Sequence, residues 1–455
     1  MKGMLLCALD MMTPTHQTTG IWRHPLADPE QYRDIDFWIR HARMLEDAGF
    51  DALFFADVAG VYDVYDGSGR TAIQAGMQYP MLDPLLAVSA LAAATSTLGF
   101  GVTASVSYEQ PYLLARKFGT LDHLTRGRIA WNIVTSYQRS AMQNLGAADV
   151  MPHDLRYDRA DEFMEVVYRL WEGSIEPEAL VADVGKNTYL DPEKVHPADH
   201  SGTYFTVPGP ALTLPGPQGT PFLFQAGSSP RGLDFAATHA EALFFSGTSP
   251  QNVRQLTDGV RDRLQGSDRA EDSVRMITSV TVIAGEDDAA ARARYEDYIR
   301  CVDEDAALAL FAGWTGLDLA QLSPDHVLED VEVQGNRSAL QSFTTLDPDR
   351  DWTVRDLAAH MAIGGRGPVI VGSGQTVADE LERWQDEAGV DGFNVDHGIR
   401  GLDLPAFAQH VSPVLRDRGL VPQLPRVGSQ GTTLRARILG QDRLAETHPG
   451  AQHRR

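Results

Sequence analysis

Two hydrophobic rhythms run along the 455-residue chain. Period-two alternation marks LGFGVTASV (98–106), where Leu98, Phe100 and Val102 fall on one face and Gly99, Gly101, Thr103 and Ser105 on the other. It also marks RIAWNIVT (128–135), where Ile129, Trp131 and Ile133 oppose Ala130, Asn132 and Val134. Side chains alternate across a strand, so each segment predicts a strand with a bulky face toward helices and a small or polar face turned the other way. MLLCALDM (4–11), FDALFFAD (50–57), PFLFQ (221–225), ALFF (242–245), VRMITSVTVIA (274–284) and DGFNVD (391–396) predict six more strands. Between strands, apolar positions return at three and four, as in Ile35, Trp38, Ala42 and Leu45 of a helix expected to start at Asp28-Pro29-Glu30. Ala160, Phe163, Val167 and Leu170, and later Val377, Leu381 and Trp384, repeat that spacing, and a further helix is predicted over 84–94.

Eight strands alternating with helices give the count of a (β/α)8 TIM barrel, provided PVIVGS (368–373) is a connector; an open doubly wound sheet is the alternative. Stretches at about 173–219 and 305–367 break the rhythm and are expected to be long insertions in a barrel domain spanning 1–425, the first of them loop. Residues 426–455, with six arginines and few apolar positions, are expected to be a loosely attached arm or disordered tail.

The apolar fraction of 43% with 22% charged residues suits a full globular core, and no stretch is long and apolar enough to span a bilayer. MKGMLLCALDMM has the look of a signal peptide, but Asp10 interrupts it, so a first strand and a cytoplasmic chain are expected. A formal charge of −23 argues against nucleic acid and anionic membrane surfaces as partners. Cys7 and Cys301 stand in no redox or ligand spacing, so neither a disulfide nor a metal site is expected.

Polar residues gather where predicted strands end: Asp57, Thr103, Asn132 and Ser136, and the Ser228-Ser229 pair. In a (β/α)8 barrel that C-terminal mouth carries binding and catalysis. GSSPRG (227–232) places Ser228 and Ser229 before a helix begun by Pro230, where free backbone N–H groups and the helix dipole suit a phosphate; plain helix capping is the competing reading. GFGVTA loosely matches a dinucleotide fingerprint but lies within a strand, so no nicotinamide-binding unit is expected. Arg23, Arg70, Arg139 and Arg366 are candidates for selecting an anionic substrate, and Trp22, Tyr62, Tyr65 and Tyr79 for an apolar cleft.

GRIAWNIVTS (127–136) resembles a motif of the flavin-dependent monooxygenases of the nitrilotriacetate, dibenzothiophene-sulfone and pristinamycin branch of the bacterial-luciferase-like superfamily. GIWRHP (20–25), ARMLEDAGFDALFFAD (42–57), HDLRYDRADEF (153–163), FQAGSSPRG (224–232) and TVADELERWQDEAGVDGFNV (376–395) resemble its other landmarks, in order and over most of 1–425. The resemblance implies an FMN enzyme on a TIM barrel. In that family's pattern, FMNH2 comes from a separate NAD(P)H:flavin reductase, and O2 delivers one oxygen atom through a flavin peroxide to a small sulfur-, nitrogen- or carbonyl-containing substrate. Asp57, Thr103 and Asn132 would then face the flavin ring, while His153, Tyr157, Ser228 and Ser229 would hold its phosphate. His16 would stand nearest the reacting oxygen as proton donor or hydrogen-bond partner, with Asn132 and Tyr137 as further catalytic candidates; relatives often carry histidine at the Tyr137 position. A homo-oligomer, dimer or tetramer, is expected. The alternatives are a deazaflavin-dependent dehydrogenase of the same superfamily and a non-catalytic flavin-binding protein.

Overall fold

A computed structural model describes residues 3–329, 331–333, 335–423 and 431–455. Strands β1 (Leu5–Asp10), β2 (Ala52–Phe55), β3 (Gly99–Ser105), β4 (Ile129–Val134), β5 (Phe222–Gln225), β6 (Ala242–Phe245) and β7 (Arg275–Gly285) follow one another around a sheet. β8 (Val369–Ser373) and β9 (Gly392–Asp396) complete the set. β9 pairs with both β7 and β1, and β6 pairs with β7, so eight parallel strands close into a TIM barrel. β7 is long enough for two tasks: Ile277–Thr281 pairs with β9 inside the ring, while Thr281–Gly285 pairs with β8 outside it. PVIVGS thus supplies an added strand outside the ring, which meets the condition on which the count of eight rests.

The alternation in β3 and β4 sorts residues into two cores. Phe100, Val102, Ile129, Trp131 and Ile133 pack beneath the helices with Trp38, Phe163 and Trp171. Ala130 faces the barrel interior among Leu9, Phe54, Phe224 and Phe244. Burial of each such phenylalanine contributes about 1.5–3 kcal/mol. Gly101 belongs to the small face because a Cβ there would lie 2.9 Å from Phe54 and 3.2 Å from Phe224.

Local chemistry moves one helix start. The first long helix spans Ile35–Ala48, and Asp34, not Asp28, caps it by accepting from the Asp36 N–H. The Asp28 carboxylate instead accepts from the Glu30 N–H at 3.0 Å, closing its own turn. Trp38, Ala42 and Leu45 form the buried stripe, whereas Ile35, at the first helical position, is exposed.

The insertions are more ordered than their composition predicts. Within 173–219, Leu180–Asp183 pairs antiparallel with Thr188–Leu190, and His200–Ser201 with Thr206–Val207. Across 305–367, the helices Glu304–Thr315, Arg337–Gln341 and Val354–Met361 build a second apolar cluster around Leu310, Phe311, Phe343 and Trp352. Tyr62, Ala72 and Met77, from the segment after β2, belong to the same cluster, which ties the insertion to the barrel mouth.

Residues 431–455 correct the expectation of a loose arm or disordered tail; 426–430 lie outside the described residues. The helix Leu434–Leu439 seats Leu434 and Ile438 in the barrel's inner core, in space left by Gly99. Arg435 is fully buried and pairs with Glu241 through Nε–Oε1 at 2.6 Å and a second contact at 2.9 Å. It also donates to the carbonyls of Gln218, Thr220 and Pro221. A few well-placed apolar residues and one saturated arginine hold this segment, which overall composition does not reveal. No helix among the described residues is long and apolar enough to cross a membrane.

Candidate active site

β3 and β4 run in register with Thr103 opposite Asn132. The Thr103 hydroxyl donates to the Phe55 carbonyl at 3.0 Å and accepts from Asn132 Nδ2 at 2.9 Å. That chain fixes the amide and leaves Asn132 Oδ1 buried without a hydrogen-bond partner among the described residues. Gln225 Oε1 and Asn394 Oδ1 are in the same condition. Each such acceptor costs about 1–3 kcal/mol if nothing donates to it. All three residues line one cavity of about 270 Å³, so a ligand carrying N–H groups would relieve them together.

Just past β4 the backbone turns sharply: Ser136 holds a left-handed φ of 44°, and its hydroxyl donates to Ser105 Oγ at 2.7 Å. This strained turn delivers Tyr137 to the cavity, hydrogen-bonded to Tyr62. Tyr62 in turn donates to Gln78 Oε1 at 2.9 Å, Gln78 donates to the His16 carbonyl at 3.2 Å, and Trp314 Nε1 donates to the Tyr62 hydroxyl at 3.2 Å. Burial pushes the Tyr62 phenol up to about 12 and holds Tyr137 well above the usual tyrosine value, so both are neutral donors. Asp57 also lines the cavity; burial, reinforced by the neighbouring Asp83 carboxylate, raises its carboxyl to about 7.

On the β1 and β9 side, His16 Nδ1 lies 3.0 Å from Asp396 Oδ1. The same oxygen accepts from the His397 N–H at 2.8 Å. Behind them Asp10 receives Arg400 at 2.8 Å, with His397 at 3.4 Å and His41 at 3.6 Å. Burial opposes the Asp10 charge, but Arg400, His397 and His41 together hold its carboxyl well below the usual range. Burial drives His41 down to about 4. Among the described residues, His16, Asp396 and His397 form the one group with ligand-type atoms within 4.8 Å of one another, and Asp396 Oδ1 takes both the His16 and the His397 contacts.

The opposite wall gathers hydrogen-bond donors. Ser229 caps the helix Pro230–His239, its Oγ accepting from the Gly232 N–H at 3.1 Å. The same hydroxyl lies 3.2 Å from His153 Nε2, and Tyr157 hydrogen-bonds both Ser229 and Thr135. Gly227 closes the cradle, since a Cβ there would fall 2.7 Å from the Tyr157 hydroxyl. Helix-end N–H groups, hydroxyls and an imidazole are the donor set a phosphate needs. The capping and anion-binding readings of Ser229 are therefore compatible. Orphaned acceptors at one end and this donor set at the other fit the ring edge and phosphate of FMN.

His16, Asp57, Thr103, Asn132, Tyr137, His153, Tyr157, Ser228 and Ser229 all line this one cavity, as do Tyr62 and Arg366. Other candidates do not. Arg23 is spent on the Cys301 and Val302 carbonyls at 2.6 and 2.9 Å, Arg139 sits 3.4 Å from Asp149, and Arg70 is exposed. Trp22, Tyr65 and Tyr79 are likewise not among its lining residues. The sequence pattern missed Gln78, Gln225, Asn394, Asp396 and Trp314. Asn394 and Asp396 carry a usable signal, because DGFNVD alternates as strictly as β3 does.

A family model described as luciferase-like monooxygenase matches residues 10–392. The dimethyl-sulfide monooxygenase of Hyphomicrobium sulfonivorans is 46% identical, over 100% of this chain and 94% of its own length. The crystal structure of DmoA from the same organism superposes with a TM-score of 0.91 over 100% of this chain and 96% of that one. The dibenzothiophene-sulfone monooxygenase of Rhodococcus erythropolis is 35% identical over 91% of this chain and 92% of its own. A riboflavin lyase solved with modified FMN and riboflavin is 35% identical, with a TM-score of 0.91 over 100% of both chains. Matched along most of its length by family model, sequence and fold alike, the chain belongs to the luciferase-like monooxygenase family and is an oxidoreductase of that family.

Proposed function

We propose that this chain is the oxygenase of a two-component system, taking FMNH2 from a separate NAD(P)H:flavin reductase and using O2 to place one oxygen atom on a small organic substrate. Asn132 carries the reading: an amide fixed by Thr103, with a buried Oδ1 lacking a partner, opens into the cavity that also holds the anion-type donors. The matched relatives named for dimethyl sulfide and dibenzothiophene sulfone make sulfur compounds the first substrate class to try.

When bound, reduced flavin supplies the two electrons with which O2 yields one substrate oxygen and one water. Ser228, Ser229, His153 and Tyr157 hold the phosphate, and Asn132, Thr103 and Asp57 meet the ring edge. His16 carries or accepts a proton at Nε2, its other nitrogen being held by Asp396. Tyr137 and Tyr62 donate hydrogen bonds beside it. The 305–367 insertion, bonded to Tyr62 through Trp314, screens the mouth from water. A separate reductase is part of the reading because GFGVTA, the chain's loose dinucleotide fingerprint, is strand β3 and opens no helix. A cytoplasmic homo-oligomer completes the proposal.

The test supplies NADH and FMN to the purified chain. No turnover is expected until a flavin reductase or chemically reduced FMN is added. NADH oxidation by the isolated chain, matched to product formation, contradicts the two-component reading.

A further inference from the structure

Four buried arginines of the fold are well partnered. Arg400 pairs with Asp10 and Arg435 with Glu241. Arg128 donates to the carbonyls of Thr125, Leu98 and Ala92 and to the Thr95 hydroxyl, and Arg269 to those of Ala237, Thr238 and Ala240. Arg366 is different. It lines the mouth cavity with its guanidinium carbon 5.4 Å from the centre of the Trp314 ring. Its Nε is shielded and has no hydrogen-bond partner among the described residues. Burial lowers the guanidinium to about 10. A partly exposed guanidinium on a cavity wall, with no carboxylate paired to it among the described residues, is open to an anion, and its planar fork matches an oxyanion in geometry as well as charge.

Resting on the monooxygenase reading above, we infer that Arg366 receives an oxyanion of the substrate, a carboxylate or sulfonate, so that the preferred substrate is an organic acid carrying the oxidisable atom. The flavin phosphate already has its own donors at Ser229, His153 and Tyr157. Arg366 instead belongs to the wall formed by Trp314 and Tyr137, where the insertion meets the barrel. Trp314 supplies a flat aromatic face that holds the guanidinium plane, and the Tyr62 and Tyr137 rings offer apolar surface beside it.

The experiment uses a matched pair, (methylthio)acetate and ethyl methyl sulfide, which share a thioether and differ in the carboxylate. Calorimetric titration of the flavin-free chain reads anion binding, and kcat/KM with reductase-supplied FMNH2 reads selectivity. The wild-type chain is expected to favour (methylthio)acetate by about tenfold or more in both, the scale of one charge-assisted hydrogen-bonded pair. Arg366→Met should bring the ratio close to one, and Arg366→Lys should restore part of it, with FMN affinity the same in all three. If Arg366→Met fails to fold, Arg366→Lys and Arg366→Gln carry the comparison, with an intermediate ratio expected for lysine and loss for glutamine. Equal binding of the two thioethers by the wild-type chain overturns the proposal, as does an arginine variant whose loss is in FMN affinity. Anion binding that depends on Arg366 without oxygenation of either compound would instead sustain this subsite and refute the monooxygenase reading.

Discussion

Asp396 holds His16 in place: carboxylate Oδ1 and imidazole Nδ1 are 3.0 Å apart, and both side chains are only 2% exposed. A carboxylate is an acceptor, so it keeps the proton on Nδ1 and leaves Nε2 to the cavity. His16 comes from the loop after β1 and Asp396 from the end of β9, neighbouring strands in the barrel. The ring orientation is therefore built into the strand order.

Asp396→Asn keeps the shape and removes that preference. The variant is expected to fold and to lose about 100-fold in kcat, the lower end of what a positioned acid–base group contributes, with KM little changed. Nitrogen-15 shifts of labelled histidine should show the Nδ1–H form of His16 in the wild-type chain and a mixture in the variant. An unchanged kcat with a scrambled tautomer would remove His16 from proton transfer.

Asp57 gives a pH signature. Its native carboxyl sits at about 7, above the unfolded value of about 3.8, chiefly through burial. The native state therefore holds the proton more tightly. The resulting stability is fully present below the unfolded value and is lost as pH rises through about 7. Asp57→Asn carries no charge to bury, so in the flavin-free protein it should gain stability relative to wild type between about pH 5 and 8. Urea denaturation of both proteins at the two pH values measures this, and a difference that does not move with pH contradicts the assignment.

The phosphate wall makes a binding prediction. Replacing Ser228 and Ser229 together with alanine should weaken FMN binding by about 1–3 kcal/mol, the range for hydrogen bonds to a charged group. Equilibrium titration of the folded double variant checks it, and undiminished affinity returns Ser229 to helix capping alone.

Much of this was legible in the sequence because it is local. The alternation in β3 and β4 fixes which residues face inward, and with it the meeting of Thr103 and Asn132. Ser228 and Ser229 announce themselves before Pro230 by capping chemistry. What escaped depends on distant packing. Trp314 reaches the site because an insertion folds against Tyr62 and Met77, contacts that no local period encodes. Asp396 lies at the end of a strand whose alternation was not followed to its polar face: Phe393 and Val395 pack outward and leave Asn394 and Asp396 on the other side. The tail was misjudged by composition: Leu434 and Ile438, four apart on one helix, fill the barrel's closed end.

That tail yields a stability prediction. Arg435 and Glu241 are both almost fully buried, so Arg435→Ala strands a carboxylate in the interior and should cost about 3–5 kcal/mol. Chemical denaturation of the variant measures the loss. A change below about 1 kcal/mol, the range of exposed pairs, would mean that the plug does not hold the barrel end.

The central claim is that the cavity bounded by His16, Asn132, Tyr137 and Ser229 uses FMNH2 and O2 to oxygenate a second molecule. Its most direct test is mass spectrometry of product formed under oxygen-18 gas, with FMNH2 prepared anaerobically and a panel of small sulfur compounds. The account expects one heavy oxygen atom per product molecule, dependent on FMNH2 and abolished by Asn132→Leu. Product lacking heavy oxygen, or substrate oxidation that proceeds without O2, would contradict it.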